Sequence, residues 1–346
     1  MKIACVVLTY NRLSLLKRCI DSIRNQTYQE FDIYVIDNAS TDGTAHWLSL
    51  QNDLTVISIH ENKGPANGFY TCLQVPYDDG YDWIWMMDDD GVADKGQLEE
   101  LLNKTVKNNL YFTNALVCNI DNPEKIAFGA KKTIDTQREE LIKGNINPFN
   151  GTFIHRRVIE KNGNIMREMY MYGCETEYQL RAIKNGFQVA TVTSAIHYHP
   201  SPKVSICHLI PYIKYCSIID YPIDTLFYIR NKAYINYTYL GFKRSLFMIT
   251  SYSLYYLFRL KIRKVLLFWK YYRGDCVLQD IQNIARTSFV NFGNELSNNN
   301  CRLIINLESP FIKGDESPIK NKITLSALPD SICFLDYLMP YLINLA

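Results

Sequence analysis

The stretch "YDWIWMMDDDG", residues 81–91, decides the fold. Five apolar residues run directly into Asp88, Asp89 and Asp90. A short apolar run bounded by polar residues is typical of a strand buried on both faces. Adjacent carboxylates repel one another, so three of them at the exit of a buried strand require a reason. One reason is a bound cation; the other is a plain acidic turn in solvent.

Three similar apolar runs precede this strand, in "IACVVLTY", "DIYVIDNAS" and "TVISIHEN". Between the first two, "LSLLKRCIDSIRNQ" repeats apolar residues at helical spacing, at Leu16, at Cys19 or Ile20, and at Ile23. Strands that are apolar on both faces and alternate with helices predict a mostly parallel sheet covered on both sides. The fold class is therefore α/β, with a mainly helical region after residue 205.

Each predicted strand ends in residues suited to a polar ligand. In a parallel sheet these ends lie at one edge, where ligands bind. The chain has no GxGxxG after its first strand and no GxxxxGK[ST], which excludes the common dinucleotide and P-loop sites. Carboxylates can hold Mg²⁺ or Mn²⁺, and the cation can then hold a diphosphate. The residues at the four strand ends are Thr9, Tyr10, Arg12, Asp37, Asn62, Gly64, Gly68 and Asp88 to Asp90.

Composition limits the remaining possibilities. The chain has 346 residues and a net charge of +2, so no global field favours nucleic acid as a partner. Its ten cysteines form no CxxC pair, which predicts reduced core thiols and neither a zinc site nor disulfides. The apolar run after Met1 is too short for a signal peptide, so the sequence predicts a cytoplasmic protein.

The ordered motifs "VVLTYNR", "CIDSIRNQTY", "FDIYVIDNASTDGT", "ENKGPANG" and "WIWMMDDDG" resemble the nucleotide-binding half of glycosyltransferase family 2. The resemblance covers about the first 200 residues and implies the GT-A fold, a nucleotide-sugar donor and a Mn²⁺ or Mg²⁺ ion. It assigns Asp88 and Asp90 to the metal. The alternative to a donor-binding role for Asp37 is a structural one, in which its side chain closes a backbone turn. The resemblance places the donor against Thr9, Tyr10, Arg12, Asp37, Asn62, Gly64, Asp88 and Asp89.

An inverting transferase needs a base that takes the proton of the acceptor hydroxyl. In the family this base is an acidic residue in a pattern like W-G-D-D-x-E-Y-x-x-R. The segment "YGCETEYQLR" resembles that pattern, with Cys174 at the first aspartate and Glu175 at the second. Glu175 is the predicted base. Glu177 is the second candidate; its alternative role is an ion pair with Arg181, four residues later on a helix.

The segment "AIHYHP" resembles the strand that carries a metal-binding histidine in this family. Aligning Ala195 and Ile196 places His199 at the ligand position. His197 lies two residues earlier, on the same face of a strand, and is the second candidate.

From Thr225 to Gly274 the chain has no Asp or Glu, while Lys and Arg alternate with aromatic and aliphatic residues. The apolar part is too short to span a bilayer. This pattern favours helices that lie on an anionic membrane surface, although packing against the catalytic domain is the alternative. Within this region "DTLFYIRN" resembles the Y-x-R-N element of galactofuranosyl- and rhamnosyltransferase-like members of the family.

These observations predict a catalytic domain over residues 1–205, with a donor- and metal-binding half (1–120) and an acceptor half (121–205). A basic aromatic region follows over 206–296, and a tail without recognisable motif over 297–346. The predicted activity is metal-dependent, inverting transfer of galactofuranose from UDP-galactofuranose to a glycan or polyprenyl-diphosphate-linked acceptor. This step would belong to bacterial surface polysaccharide (O-antigen-type) synthesis and take place at the inner face of the membrane. The alternatives are a rhamnosyltransferase that uses dTDP-rhamnose, a nucleotidyltransferase, and a non-catalytic sugar-binding protein.

Overall fold

The four apolar runs form neighbouring parallel strands in the computed structural model of the chain. The structure describes residues 1–127, 140–144, 146, 149–200, 206–208, 217–219 and 226–273. The strands follow the predicted order and end where the polar residues begin. They are β1 (Ile3–Thr9), β2 (Asp32–Asp37), β3 (Leu54–Ser58) and β4 (Trp83–Asp88).

Five further strands complete the main sheet, in the order β3-β2-β1-β4-β8-β6-β9-β5, with β7 also paired to β9. Strand β8 runs antiparallel to both β4 and β6, whereas β6 and β9 are parallel. The predicted mixed, mostly parallel sheet is therefore confirmed. The added strands are β5 (Val92–Ala93), β6 (Phe112–Asn119), β7 (Leu141–Lys143), β8 (Asn150–His155) and β9 (Val189–His199).

Helices cover both faces of this sheet and bury one apolar core on each. Helix α1 buries Leu16, Cys19, Ile20 and Ile23, which confirms the face predicted from the helical spacing. On the other face α3 buries Phe69, Cys72 and Leu73. The helices of this half are α1 (Leu13–Arg24), α2 (Thr44–Ser49), α3 (Pro65–Asp78), α4 (Gln97–Lys107), α5 (Arg156–Asn162) and α6 (Cys174–Lys184).

Beyond β9 a short antiparallel hairpin, β10 (Ile206–His208) and β11 (Ser217–Ile219), precedes the predicted helices. These helices are α7 (Leu226–Ile235), a π-helical turn (Asn236–Leu240), α8 (Phe242–Phe258) and α9 (Ile262–Arg273). In the part of the chain that the structure describes, no helix is both long and apolar enough to cross a membrane. The predicted tail, 297–346, and residues 274–296 lie outside the described residues.

Residues 1–272 form one compact unit, so α7 to α9 belong to the same body as the sheet. Helices α8 and α9 pack together through stacked rings of Tyr252 and Phe268, whose centroids lie 5.3 Å apart. The cysteines with described side chains, Cys5, Cys19, Cys72, Cys118 and Cys174, are all buried and free of disulfides, as predicted.

Candidate active site

The predicted ligand-binding edge forms where β1 separates β2 from β4. Thr9 at the end of β1 pairs in register with Asp37 of β2, and Leu8 pairs with Asp88 of β4. This is the position at which strand order reverses, since β2 and β3 extend to one side of β1 and β4 to the other. Polar groups from three strands are therefore brought together at the usual binding position of such sheets.

The triple aspartate divides its side chains among different partners. Asp89 is buried and accepts hydrogen bonds from Thr9 Oγ1 at 2.7 Å and from the Tyr10 amide at 3.3 Å. The guanidinium of Arg12 lies 3.3 Å from Asp89 Oδ1 and 3.0 Å from Asp90 Oδ2. Asp89 therefore fixes the loop after β1, and Arg12 offsets part of the negative charge.

Asp88, Asp90 and His199 form a cluster that could hold a metal ion. One ligand atom from each side chain lies within 4.8 Å of the others. Burial, followed by repulsion from Asp90, Asp89 and Glu175, raises the pKa of Asp88 well above its ordinary value. Burial would also raise the pKa of Asp90, but contact with His199 and the charge of Arg12 keep it below the ordinary value.

The orientation of His199 suits a cation. Its Nδ1 lies 2.7 Å from the carbonyl oxygen of Pro200, which can only accept a hydrogen bond, so Nδ1 carries the proton. The other nitrogen, Nε2, lies 2.9 Å from Asp90 Oδ1. Nε2 and Asp90 Oδ1 therefore face the same point, where both could bind one cation. Two carboxylates and one imidazole thus fit Mn²⁺, or Mg²⁺ with water in the remaining positions.

His197, the second candidate ligand, is placed elsewhere. Its ring is fully buried, and Nδ1 lies 3.3 Å from Nε2 of Gln97. Nε2 lies against Gly91, where an added Cβ would approach to 2.1 Å. Burial, together with the nearby His199, lowers the pKa of His197 to about 3, so the ring is a neutral part of the core. The structure therefore brings His199 to the aspartates and packs His197 behind them.

The predicted nucleotide-binding side consists of turns after β2 and β3. Asp37 is buried, and one of its carboxylate oxygens accepts the Ser40 amide at 3.0 Å. The turn that was the alternative explanation for Asp37 is thus present. Asn62 Oδ1 accepts from the Gly64 amide at 2.8 Å and from the side chain of Asn38 at 3.1 Å. These bonds join the two turns into one surface.

Gly64 also connects this surface to the acceptor half. Its φ of +84° lies in the left-handed region, and an added Cβ would come within 2.5 Å of the carbonyl oxygen of Tyr170. The same carbonyl accepts the Ala66 amide at 3.0 Å. Glycine at position 64 therefore allows the loop before α6 to touch the donor side.

The two candidate bases have different environments. Glu177 is fully buried, and both of its carboxylate oxygens bind Arg181, at 2.8 and 2.9 Å. Tyr239 donates a further hydrogen bond to Glu177 at 2.6 Å. Glu175, by contrast, is partly exposed beside Asp88 and contacts the Gly173 amide at 3.0 Å. Glu177 thus forms a structural ion pair with Arg181, whereas the carboxylate of Glu175 is available to act as a base.

The loop before Glu175 has an unusual backbone. Tyr170, Tyr172 and Gly173 have φ values of +57°, +62° and +98°, which is unfavourable for the two tyrosines. Such conformations persist where the surroundings fix them, and they cluster at functional sites.

A residue of the Y-x-R-N element fixes this loop. The Asn231 side-chain amide donates to the carbonyls of Met169, Met171 and Tyr172, at 2.8, 2.9 and 2.6 Å. Arg230 donates to the carbonyl of Glu168. Sequence reasoning found the element but gave neither residue a role, because about 60 residues separate α7 from the loop.

A cavity of about 450 Å³ opens beside Glu175, between α6 and α7. Glu175 forms part of its wall, together with aromatic rings and the ammonium of Lys232. Its lining comprises Ile146, Asn150, Tyr172, Gly173, Glu175, Thr176, Gln179, Tyr228, Lys232, Ile235, Asn236 and Leu240.

The chain is similar to several known proteins. Residues 4–163 match the family model described as glycosyl transferase family 2. Galactofuranosyltransferase GlfT1 of Mycobacterium tuberculosis (strain CDC 1551 / Oshkosh) is 27% identical over 244 residues, which cover 66% of this chain and 80% of GlfT1. GlfT1 of Mycolicibacterium smegmatis is 26% identical over 213 residues, which cover 57% of this chain and 70% of that protein.

Among solved structures, S. aureus TarS 1–349 in complex with UDP is similar, with a TM-score of 0.50 at 14% identity. The match covers 75% of this chain and 71% of that one. The chain spans only 44% of a longer TarS structure. At this identity the likeness concerns the fold alone, and it is the GT-A fold.

Proposed function

We propose that this chain transfers galactofuranose from UDP-galactofuranose. Its domain at residues 4–163 belongs to glycosyltransferase family 2. The acceptor is a lipid-linked or oligosaccharide intermediate of a bacterial surface polysaccharide. One observation carries the proposal: the cluster of Asp88, Asp90 and His199 lies beside the available carboxylate of Glu175. The similarity to GlfT1, named as a galactofuranosyltransferase, supports the choice of sugar.

The donor is held at the carboxyl ends of the strands. The surface formed by Asp37 and Asn62 suits the polar groups of a nucleoside, and Arg12 is positioned to contact phosphate or the aspartates. Asp88, Asp90 and His199 would hold Mn²⁺ or Mg²⁺. When bound, this ion would supply positive charge to the departing diphosphate.

The chemical step uses Glu175 as the base. The acceptor hydroxyl oxygen forms a bond to the anomeric carbon while the bond from that carbon to the diphosphate oxygen breaks. The hydroxyl proton moves to the Glu175 carboxylate, and UDP carries away the electron pair. Because the acceptor attacks opposite the leaving group, the anomeric configuration is inverted. The burial of Glu177 and its bonds to Arg181 favour Glu175 for this role.

The acceptor enters the cavity beside Glu175. Tyr172 and Tyr228 offer ring faces of the kind that pack against sugars, and Lys232 donates to Tyr228 Oη at 2.8 Å. No Asp or Glu occurs in residues 225–274 to neutralise this ammonium within its own region. A glycan that carries a phosphate, such as a polyprenyl-diphosphate-linked one, fits these features.

A panel of nucleotide sugars tests the proposal. The purified chain is incubated with UDP-galactofuranose, dTDP-rhamnose and UDP-glucose, with Mn²⁺ or with EDTA, and nucleotide release is measured. We expect release of UDP from UDP-galactofuranose with Mn²⁺ and none with EDTA. Preferred use of dTDP-rhamnose would establish the rhamnosyltransferase alternative. Formation of a nucleoside triphosphate and a sugar 1-phosphate when pyrophosphate is added would establish the nucleotidyltransferase, and binding without turnover would establish the sugar-binding protein. With a glycan acceptor added, NMR of the glycoside product reports whether the configuration is inverted.

A further inference from the structure

We propose that the turn between α8 and α9 rests on an anionic membrane surface. We call residues 257–266 the docking tip. The inference extends the proposed function, because a lipid-linked acceptor would lie at such a surface. It is nevertheless carried by different residues and tested without donor or acceptor.

The docking tip carries large apolar side chains that are exposed to water, which is energetically unfavourable. Leu260 is 84% exposed, Phe258 72% and Leu266 67%. Leu257 and Ile262 are also exposed, so five large apolar residues project within ten consecutive positions. Single exposed apolar residues are common on proteins, but a contiguous group of them marks an interaction site.

Helix α8 has apolar residues on two faces; among the described residues, one face is packed and the other is exposed. Met248, Tyr252 and Tyr255 are buried in a cluster that includes Phe268 of α9. Phe247 and Leu254 lie on the other side of the helix and are exposed, at spacings that continue to Leu257 and Phe258. The packed face accounts for the fold of the helical pair. The outward face continues the exposed surface of the docking tip.

Basic residues alternate with the apolar ones. Arg259, Lys261, Arg263 and Lys264 lie within the docking tip, and no Asp or Glu occurs between Thr225 and Gly274. A cationic surface that also carries aromatic and aliphatic side chains complements anionic lipid headgroups over an acyl layer. The apolar side chains insert, and the Lys and Arg side chains reach the headgroups.

Helix α8, which leads to the docking tip, packs against a wall of the candidate acceptor site. Asn236 and Leu240 of the π-helical turn line the cavity beside Glu175. Asn236 also contacts Met248 of α8, with 3.4 Å between Nδ2 and Sδ. One layer of helix thus separates α8 from the cavity. Docking through α8 and the tip would hold the cavity close to the lipid surface.

Flotation of the full chain with vesicles tests the inference. Vesicles of equal parts phosphatidylglycerol and phosphatidylcholine are compared with vesicles of phosphatidylcholine alone, at low salt and at about 0.5 M salt. The variant Phe258→Ser/Leu260→Ser removes the apolar tip, and Arg263→Gln removes one charge. The control variant Leu50→Ser/Val106→Ser changes two exposed apolar residues, 64% and 57% exposed, one directly after α2 and one on α4. Thermal unfolding shows whether each variant folds.

We expect the wild type to float with anionic vesicles at low salt and to be released at high salt. Phe258→Ser/Leu260→Ser should reduce the bound fraction at least about tenfold, because most of the insertion is lost. Arg263→Gln should weaken binding about fivefold, and the control should bind like the wild type. Equal binding to neutral vesicles, no binding of the wild type, or equal losses in control and tip variants would each overturn the proposal. A wild-type dimer that the tip variant dissociates would instead identify the tip as a contact between copies.

Discussion

Asp88, Asp89 and Asp90 are adjacent in the chain, yet each has a different environment. Asp89 turns into the core and binds the loop after β1, whereas Asp90 faces His199. Asp88 remains partly exposed beside Glu175. Three adjacent carboxylates are therefore tolerated because a hydroxyl, a guanidinium and an imidazole lie around them. Asp88 and Asp90, which would hold the metal, are separated in the chain by Asp89, which binds the loop after β1 instead.

Asp90→Asn should weaken Mn²⁺ binding by at least about tenfold and abolish transfer, since an uncharged amide is a poor ligand for a hard cation. Calorimetric titration with Mn²⁺ measures the affinity. Asp53→Asn is the matched control, because it alters an exposed ion pair with Arg24 on the surface. Unchanged Mn²⁺ binding by Asp90→Asn, or full wild-type activity in EDTA, would refute the assignment of the metal site.

Glu177→Gln should mainly affect folding. The change leaves Arg181 without its charged partner in a site where the carboxylate is fully buried, and breaking such pairs costs about 3–5 kcal/mol of unfolding free energy. Chemical denaturation measures this loss. Glu175→Gln, two residues away, should unfold like the wild type. If Glu177→Gln were as stable as the wild type but inactive, Glu177 would be the base.

At the scale of elements, the sequence was sufficient for β1 to β4, because each is a short apolar run followed at once by polar residues. It also predicted α1 from the spacing of Leu16, Cys19, Ile20 and Ile23. It favoured His199 over His197 only through the family resemblance, since both lie on one face of β9. The distinction comes from Gln97 of α4 and Gly91, whose contacts with His197 join residues about 100 positions apart.

The approach of the loop before α6 to the donor side should depend on Gly64. Gly64→Ala should lower both stability and UDP affinity, because the new Cβ would approach Tyr170 O to 2.5 Å in addition to the strain of a φ of +84°. Gly80→Ala is the control, with a φ of +81° and no heavy atom within 4 Å of the new Cβ. The control should cost about 1–2 kcal/mol without changing UDP affinity. Equal effects of the two variants would show that the contact with Tyr170 is unimportant.

The contact between α7 and the loop before Glu175 should depend on the donor groups of Asn231. Asn231→Asp keeps the size of the side chain but removes both N–H groups, so the three carbonyls lose the donor that they share. We expect kcat to fall at least about tenfold with little change in the KM for the donor, because Glu175 loses its position. Asn108→Asp, which alters an amide bonded to a carbonyl at the end of α4, is the control. A rise in donor KM at constant kcat would argue against a positioning role.

For the whole molecule, the sequence predicted the α/β domain and the helical region that follows, but not how α7 completes the site. The cavity beside Glu175 combines residues from 146 to 240, and α7 and the π-helical turn form one of its walls. A pattern within one segment cannot show such a contact between distant segments. The domain boundary near residue 205 and the roles of the site residues remain predictions. Residues 1–272 form a single compact unit.

We propose that Glu175 removes the acceptor proton at a metal-bound donor site. Glu175→Gln keeps the size of the side chain but cannot accept a proton. The measurement is turnover of UDP-galactofuranose with a glycan acceptor, together with UDP affinity in Mn²⁺, for the wild type and this variant. We predict that UDP affinity is unchanged and that turnover falls by roughly 10²–10⁴-fold. Normal turnover by Glu175→Gln would contradict the account.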